Sequence, residues 1–149
     1  MYSTILIATD GSELSNKGLE QGLALAKALG ARVTLLNASE PFAPMGVDAT
    51  GFTITDYALV EEREKSVADA GAAVLREAER EAAVAGVPAK GVYVANKLPA
   101  DAILDYATQN DIDLIVMASH GRRGIERVLL GSQTNEVLTR STVPVLVIR

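Results

Sequence analysis

Short uninterrupted apolar runs alternate with stretches in which apolar residues recur every three or four positions, and this alternation continues to the end of the chain. Ile5-Leu6-Ile7-Ala8 is the first run and reads as a strand buried on both faces. Asp10-Gly11-Ser12 ends it, with Ser12 placed to cap a helix whose Leu19, Leu23, Ala26 and Leu29 fall at helical spacing. Gly30 suits the stop of that helix because it tolerates positive φ. A second strand is predicted over 33–36, ending near Asn37 and Ala38. Residues 41–56 hold Pro, Gly and scattered apolar side chains without a clean period, which predicts a long, mobile loop of a length more often functional than accidental.

The Ala-, Glu- and Arg-rich stretch 57–85 predicts a helix with Val60, Val67 and Val74 on one face and Glu61, Glu62, Arg63, Glu64 and Lys65 on a solvated one. Gly86 and Pro88 close it. Val92-Tyr93-Val94 reads as a third strand, and Pro99 opens a helix with Ile103, Leu104 and Ala107 inward. Residues 114–117 read as a fourth strand, about 132–140 as a helix and 143–148 as a fifth strand, where Pro144 suits a strand start or a sheet edge. Strands alternating with helices predict an α/β fold: one open, doubly wound parallel sheet with helices on both faces, in a single domain over 1–149. Such sheets bind ligands beyond the carboxyl ends of their strands, where the winding reverses.

Composition narrows the function. The net charge is −5 and the basic residues form no long run, which disfavours nucleic acid as a partner. There is no cysteine, so disulfides, thiolate zinc sites and cysteine nucleophiles are excluded. No signal-peptide pattern opens the chain and no apolar run approaches bilayer length, so a cytoplasmic protein without a membrane partner is expected.

Two common nucleotide motifs are missing: no Gly-x-x-x-x-Gly-Lys-Ser/Thr, and no Gly-x-Gly-x-x-Gly after the first strand. In their place, the fourth strand runs into Ala118-Ser119-His120-Gly121, then nine residues, then Gly131-Ser132 and a helix. The loop carries Arg122, Arg123 and Arg127 against the single acid Glu126, a local sign reversal that favours an anion. Gly121 and Gly131 would let the backbone approach phosphate oxygens, Ser132 could donate its hydroxyl, and the first amides of the helix add partial positive charge. His120 is the sole histidine, with no acid or nucleophile paired to it in sequence, and a structural role in the loop is favoured over general base catalysis. Ser119 reads in the same way, as a capping or phosphate-contact residue.

These residues, with Thr9-Asp10-Gly11-Ser12 and the terminal Val143-Pro144-Val145-Leu146-Val147-Ile148, resemble the universal stress protein family along the whole chain. The resemblance implies a five-stranded sheet in the order 3-2-1-4-5 and ATP binding; magnesium is expected to arrive with the ATP, held mostly by its phosphates and water. It places Asp10 at the ribose and adenosine side, Ala8 and Met117 along base and sugar, Ala38 at the adenine through its backbone, and Gly121, Gly131, Ser132 and the Gln133 amide at the phosphates. Ala118 stands where the family has the first glycine of its signature; its methyl is harmless if φ is negative, which is the expectation here. The resemblance also implies a homodimer paired through the last strand. The leading expectation is a regulatory or sensing module acting on a client protein. Slow ATP hydrolysis, cyclic AMP binding and a nucleotide-free interaction protein stand as alternatives.

Overall fold

The computed structural model describes residues 1–42, 45–51, 53–121 and 130–149. Its elements, in chain order, are β1 (Thr4–Ala8), α1 (Glu13–Leu29), β2 (Arg32–Ala38), β3 (Met45–Val47), β4 (Thr53–Thr55), α2 (Tyr57–Ala85), β5 (Ala89–Val94), α3 (Pro99–Gln109), β6 (Leu114–Ala118), α4 (Ser132–Arg140) and β7 (Val145–Ile148). The main sheet is five-stranded, β5-β2-β1-β6-β7, and every pairing in it is parallel. Counted without the β3–β4 hairpin, this is the predicted order 3-2-1-4-5. All five strands point the same way, so the segments after β1, β2 and β6 share one end of the sheet, and the winding order reverses between β1 and β6.

The stretch 41–56 departs from the loop expectation: β3 and β4 pair antiparallel, Met45 with Thr55 and Val47 with Thr53. Each strand is only three residues long, too short to register as a period in the sequence. α2 has the predicted bounds but a different inner face. Gly71, Leu75, Ala78 and Ala82 are buried, whereas Val60, Val67 and Val74 are half-buried. Small residues win the core position because the helix lies close on the sheet: a Cβ at Gly71 would meet Asn37 Oδ1 at 2.6 Å and Tyr93 Cε2 at 2.7 Å.

Two cores flank the sheet. Ile5, Ile7, Val33, Leu35 and Val116 face α1 and α2, while Leu6, Leu36, Ile115 and Met117 face Ile103 and Ala107 of α3 and Val137 of α4. Ser12 Oγ accepts the Ser15 amide at the start of α1, and Gly30, at φ 66°, ends that helix in the left-handed conformation. Asp113 ties the chain start to β6 by accepting the Ser3 amide (2.8 Å), the Ser3 hydroxyl (2.9 Å) and the Thr4 amide (3.1 Å). Burial pushes its carboxyl up, but these donors outweigh that and hold it below its ordinary value. Among the described residues, no helix is long and apolar enough to cross a membrane.

Candidate functional site

A crevice of about 490 Å³ opens at the carboxyl ends of β2, β1 and β6, within the range of small-molecule sites. All nine residues singled out from the sequence line it: Ala8, Asp10, Ala38, Met117, Ala118, Gly121, Gly131, Ser132 and Gln133.

Its floor is the turn after β1. Asp10 Oδ1 accepts the Ser12 amide at 2.9 Å, and Gly11, at φ 76°, supplies the positive backbone angle that this turn requires. Ser15 on α1 fixes the approach: its Oγ accepts the Asp10 amide at 3.0 Å and donates to Thr9 Oγ1 at 3.0 Å. From the other side, Asn37 Nδ2 donates to the Thr9 carbonyl at 2.8 Å. The Asp10 carboxylate therefore has a turn-holding oxygen, Oδ1, and a second oxygen, Oδ2, that faces Gly121. A Cβ at Gly121 would fall 2.7 Å from Oδ2, so glycine there leaves the carboxylate its room.

The β6 side is built from backbone. Ala118 lies within β6, outside the positive-φ residues, so its methyl costs no backbone strain. Thr134 Oγ1 donates to the Ala118 carbonyl at 3.0 Å and pins the first turn of α4 to the strand. Gly131 caps α4 with no side-chain bond, so the Ser132, Gln133 and Thr134 amides have no acceptor within their helix, and all three residues line the crevice. Partial positive charge collects there, as an anion requires.

One expectation is refined. The Gly131 amide is already committed to the Ser119 carbonyl at 2.8 Å, so Gly131 contributes shape and not a donor. A Cβ on it would stand 3.1 Å from His120 Cβ and 3.2 Å from His120 Cα. The Gln133 side-chain oxygen serves elsewhere: Oε1 accepts the Ala100 amide at 2.9 Å and caps α3, which lacks a side-chain cap of its own, while the Gln133 residue lines the crevice as expected. His120 Nδ1 lies 3.1 Å from Ser119 Oγ, and the residue lines the crevice beside Gly131. Arg122, Arg123, Glu126 and Arg127 lie outside the described residues.

Sequence reasoning missed the far rim. Phe42, Arg63, Glu64, Val67 and Asn96 line the β2–β5 end. The Arg63 guanidinium stands over the Phe42 ring, 5.7 Å from its centroid. Asn96, at φ 55°, donates from Nδ2 to Glu64 Oε1 at 2.9 Å and from its amide to Ser39 Oγ at 3.3 Å. Tyr93 donates its hydroxyl to the same Ser39 oxygen at 2.8 Å. Charge on Arg63 and Glu64 read as solvation; the only hint otherwise was that α2 is longer than the strands it covers.

The profile described as Universal stress protein family matches residues 1–149. The chain belongs to the universal stress protein family. It is 34% identical over 149 residues to universal stress protein YxiE of Bacillus subtilis, covering all of both chains. Among solved structures it resembles universal stress protein UspA from Lactobacillus plantarum, with a TM-score of 0.84, 25% identity and coverage of 99% of this chain and 98% of that one. It also resembles a universal stress protein solved in complex with cAMP, with a TM-score of 0.70, 28% identity and coverage of 99% and 97%. That relative holds an adenine nucleotide.

Among the described residues no group of three or more His, Cys, Asp or Glu is placed to hold a metal ion.

Proposed function

We propose that this universal stress protein binds ATP across the crevice and acts as a cytoplasmic regulatory or sensing module in a stress response. The observation that carries this reading is the start of α4: three helix-end amides without a side-chain cap open onto the same crevice as Asp10. In this reading Ala8 and Met117 flank the sugar and base, and the Ala38 backbone meets the adenine. Asp10 Oδ2 sits at the ribose, with Gly121 leaving it space. The Ser132 and Gln133 amides and the Ser132 hydroxyl take the phosphates, and magnesium rides on those phosphates with water completing its shell. Nucleotide binding would change the surface around the arginine loop and residues 41–56, and that surface would be read by a client protein.

Hydrolysis is expected to be slow, well below about one turnover per second. In this reading Asp10 holds the turn through Oδ1 and the ribose through Oδ2, His120 Nδ1 rests on Ser119, and no residue is assigned to activate a water. Cyclic AMP is a second reading, supported by the similar structure that contains it. It would use less of the phosphate end.

A homodimer through β7 is part of the same reading. The two sheet edges differ: Glu79 Oε1 accepts the Gly91 amide at 2.6 Å and occupies one position of the β5 edge, while β7 carries Leu146 at 38% exposure. Isothermal calorimetry with ATP and with cyclic AMP, on wild type and Gly131→Asp, tests the site. Wild type should bind ATP and the variant should not, because its carboxylate stands at the positive helix end and its Cβ meets His120. Equal heats from both proteins would refute the assignment.

A further inference from the structure

We propose that Phe42 and Arg63 form a stacking clamp for the nucleotide base at the β2–β5 end of the crevice, an inference that rests on the nucleotide reading above. The position of α2 creates it. Gly71 packs against Asn37 and Tyr93, the next-to-last residues of β2 and β5. α2 runs back from the carboxyl ends of the strands, so residues before Gly71 reach past the sheet. Arg63 lies two turns earlier, about 12 Å further along the axis. The first turns of α2 therefore overhang the crevice, which a helix cut to the length of the strands would not do.

The overhang is anchored. Asn96 joins Glu64 on α2 to Ser39 at the end of β2, and Tyr93 of β5 donates to the same serine. With Glu64 held, its neighbour Arg63 is kept above Phe42, and both line the crevice. Phe42 is 40% exposed, which leaves part of the residue open to a flat ligand from the crevice.

Charge assigns this end to the base. Glu40 and Glu64 line it and outnumber the cation Arg63, and Asp10 stands between it and the α4 amides. A polyphosphate would meet carboxylates here and uncapped amides at the other end. The two ends are separated by the step from β2 across β1 to β6, about 10 Å. An aromatic ring beneath a guanidinium plane is the surface on which purines stack, and it is tolerant of base identity because every base has a π-face. The clamp thus separates nucleotides from bare polyphosphate and contributes alike to adenine and guanine.

The test measures binding of ATP, GTP and inorganic tripolyphosphate to wild type, Phe42→Ala, Phe42→Tyr and Arg63→Gln. Both positions are exposed or at the rim, and melting curves check that each variant folds. Phe42→Ala should weaken ATP and GTP by roughly tenfold and leave tripolyphosphate unchanged. Phe42→Tyr should keep wild-type affinity, and Arg63→Gln should weaken both nucleotides several-fold. Wild-type ATP affinity in Phe42→Ala would overturn the clamp while leaving the nucleotide reading intact. Equal weakening of tripolyphosphate and ATP in Arg63→Gln would make Arg63 a phosphate ligand and also overturn it. A wild-type protein that binds no ATP would overturn the nucleotide reading and the clamp together.

Discussion

Replacing Gly71 by alanine should destabilise the protein, although the same change in an ordinary helix would stabilise it. Helix propensity favours alanine by about 1 kcal/mol. Against this, the new Cβ would lie 2.6 Å from Asn37 Oδ1 and 2.7 and 2.8 Å from two carbons of the Tyr93 ring. Neither neighbour is the loose end of a long chain. Tyr93 is held by its hydroxyl on Ser39 and Asn37 by its amide on the Thr9 carbonyl. Overpacking of this kind costs about 1–3 kcal/mol, and displacing Asn37 from Thr9 adds about 1 kcal/mol. The net loss is about 1–3 kcal/mol after the propensity gain. Gly18 on α1 is the internal control, since a Cβ there meets nothing nearer than the Ala118 amide nitrogen at 3.8 Å. Gly18→Ala should therefore gain about 1 kcal/mol, a rise in Tm of roughly 2–4 °C. Urea unfolding of both variants at one fixed protein concentration gives the two signs. Because Asn37 positions Thr9 and hence Asp10, Gly71→Ala should also weaken ATP binding. Equal stabilisation by both substitutions would refute the close packing of α2 on β2 and β5.

Ser12→Ala should cost about 1 kcal/mol by removing the cap that accepts the Ser15 amide, measured by thermal unfolding. Asp113→Asn should cost about 1 kcal/mol at neutral pH, a figure already discounted for solvent at the half-exposed carboxylate. Its folded-state pKa is depressed, so the stabilisation is present above the ordinary aspartate pKa and is lost as pH falls through the lower folded value; wild type and variant should converge in acid unfolding profiles. Leu146→Glu should shift sedimentation from dimer toward monomer, since it puts charge on the open β7 edge. An unchanged dimer in that variant would move the interface elsewhere.

The strands themselves and most helix ends were legible because each rests on local chemistry, whereas the strand order came with the family resemblance. Ser12 and Gly30 punctuate α1, Pro99 opens α3, and the apolar runs 5–8 and 114–117 match the bulk of β1 and β6. The turn at Asp10 and the glycines around 121–131 were legible for the same reason, as residues whose conformation or size is their message. What escaped was set by distant packing. The inner stripe of α2 is fixed by how near Gly71 lies to Tyr93, not by where valines recur. The commitment of the Gly131 amide to Ser119, and of the Gln133 side chain to Ala100, depends on where two loops meet in space. Arg63 and Glu64 read as solvated because a charge pattern records exposure, and exposure is shared by a helix face and by the rim of a crevice.

Amide NMR of the 15N-labelled protein during an ATP titration tests the central claim most directly. The account predicts that the Ser132 and Gln133 amides shift downfield on binding, as they acquire phosphate oxygens as acceptors. The Gly131 amide, already bonded to Ser119, should move far less. ATP that leaves the Ser132 and Gln133 signals in place, or that shifts residues remote from the crevice instead, would contradict it.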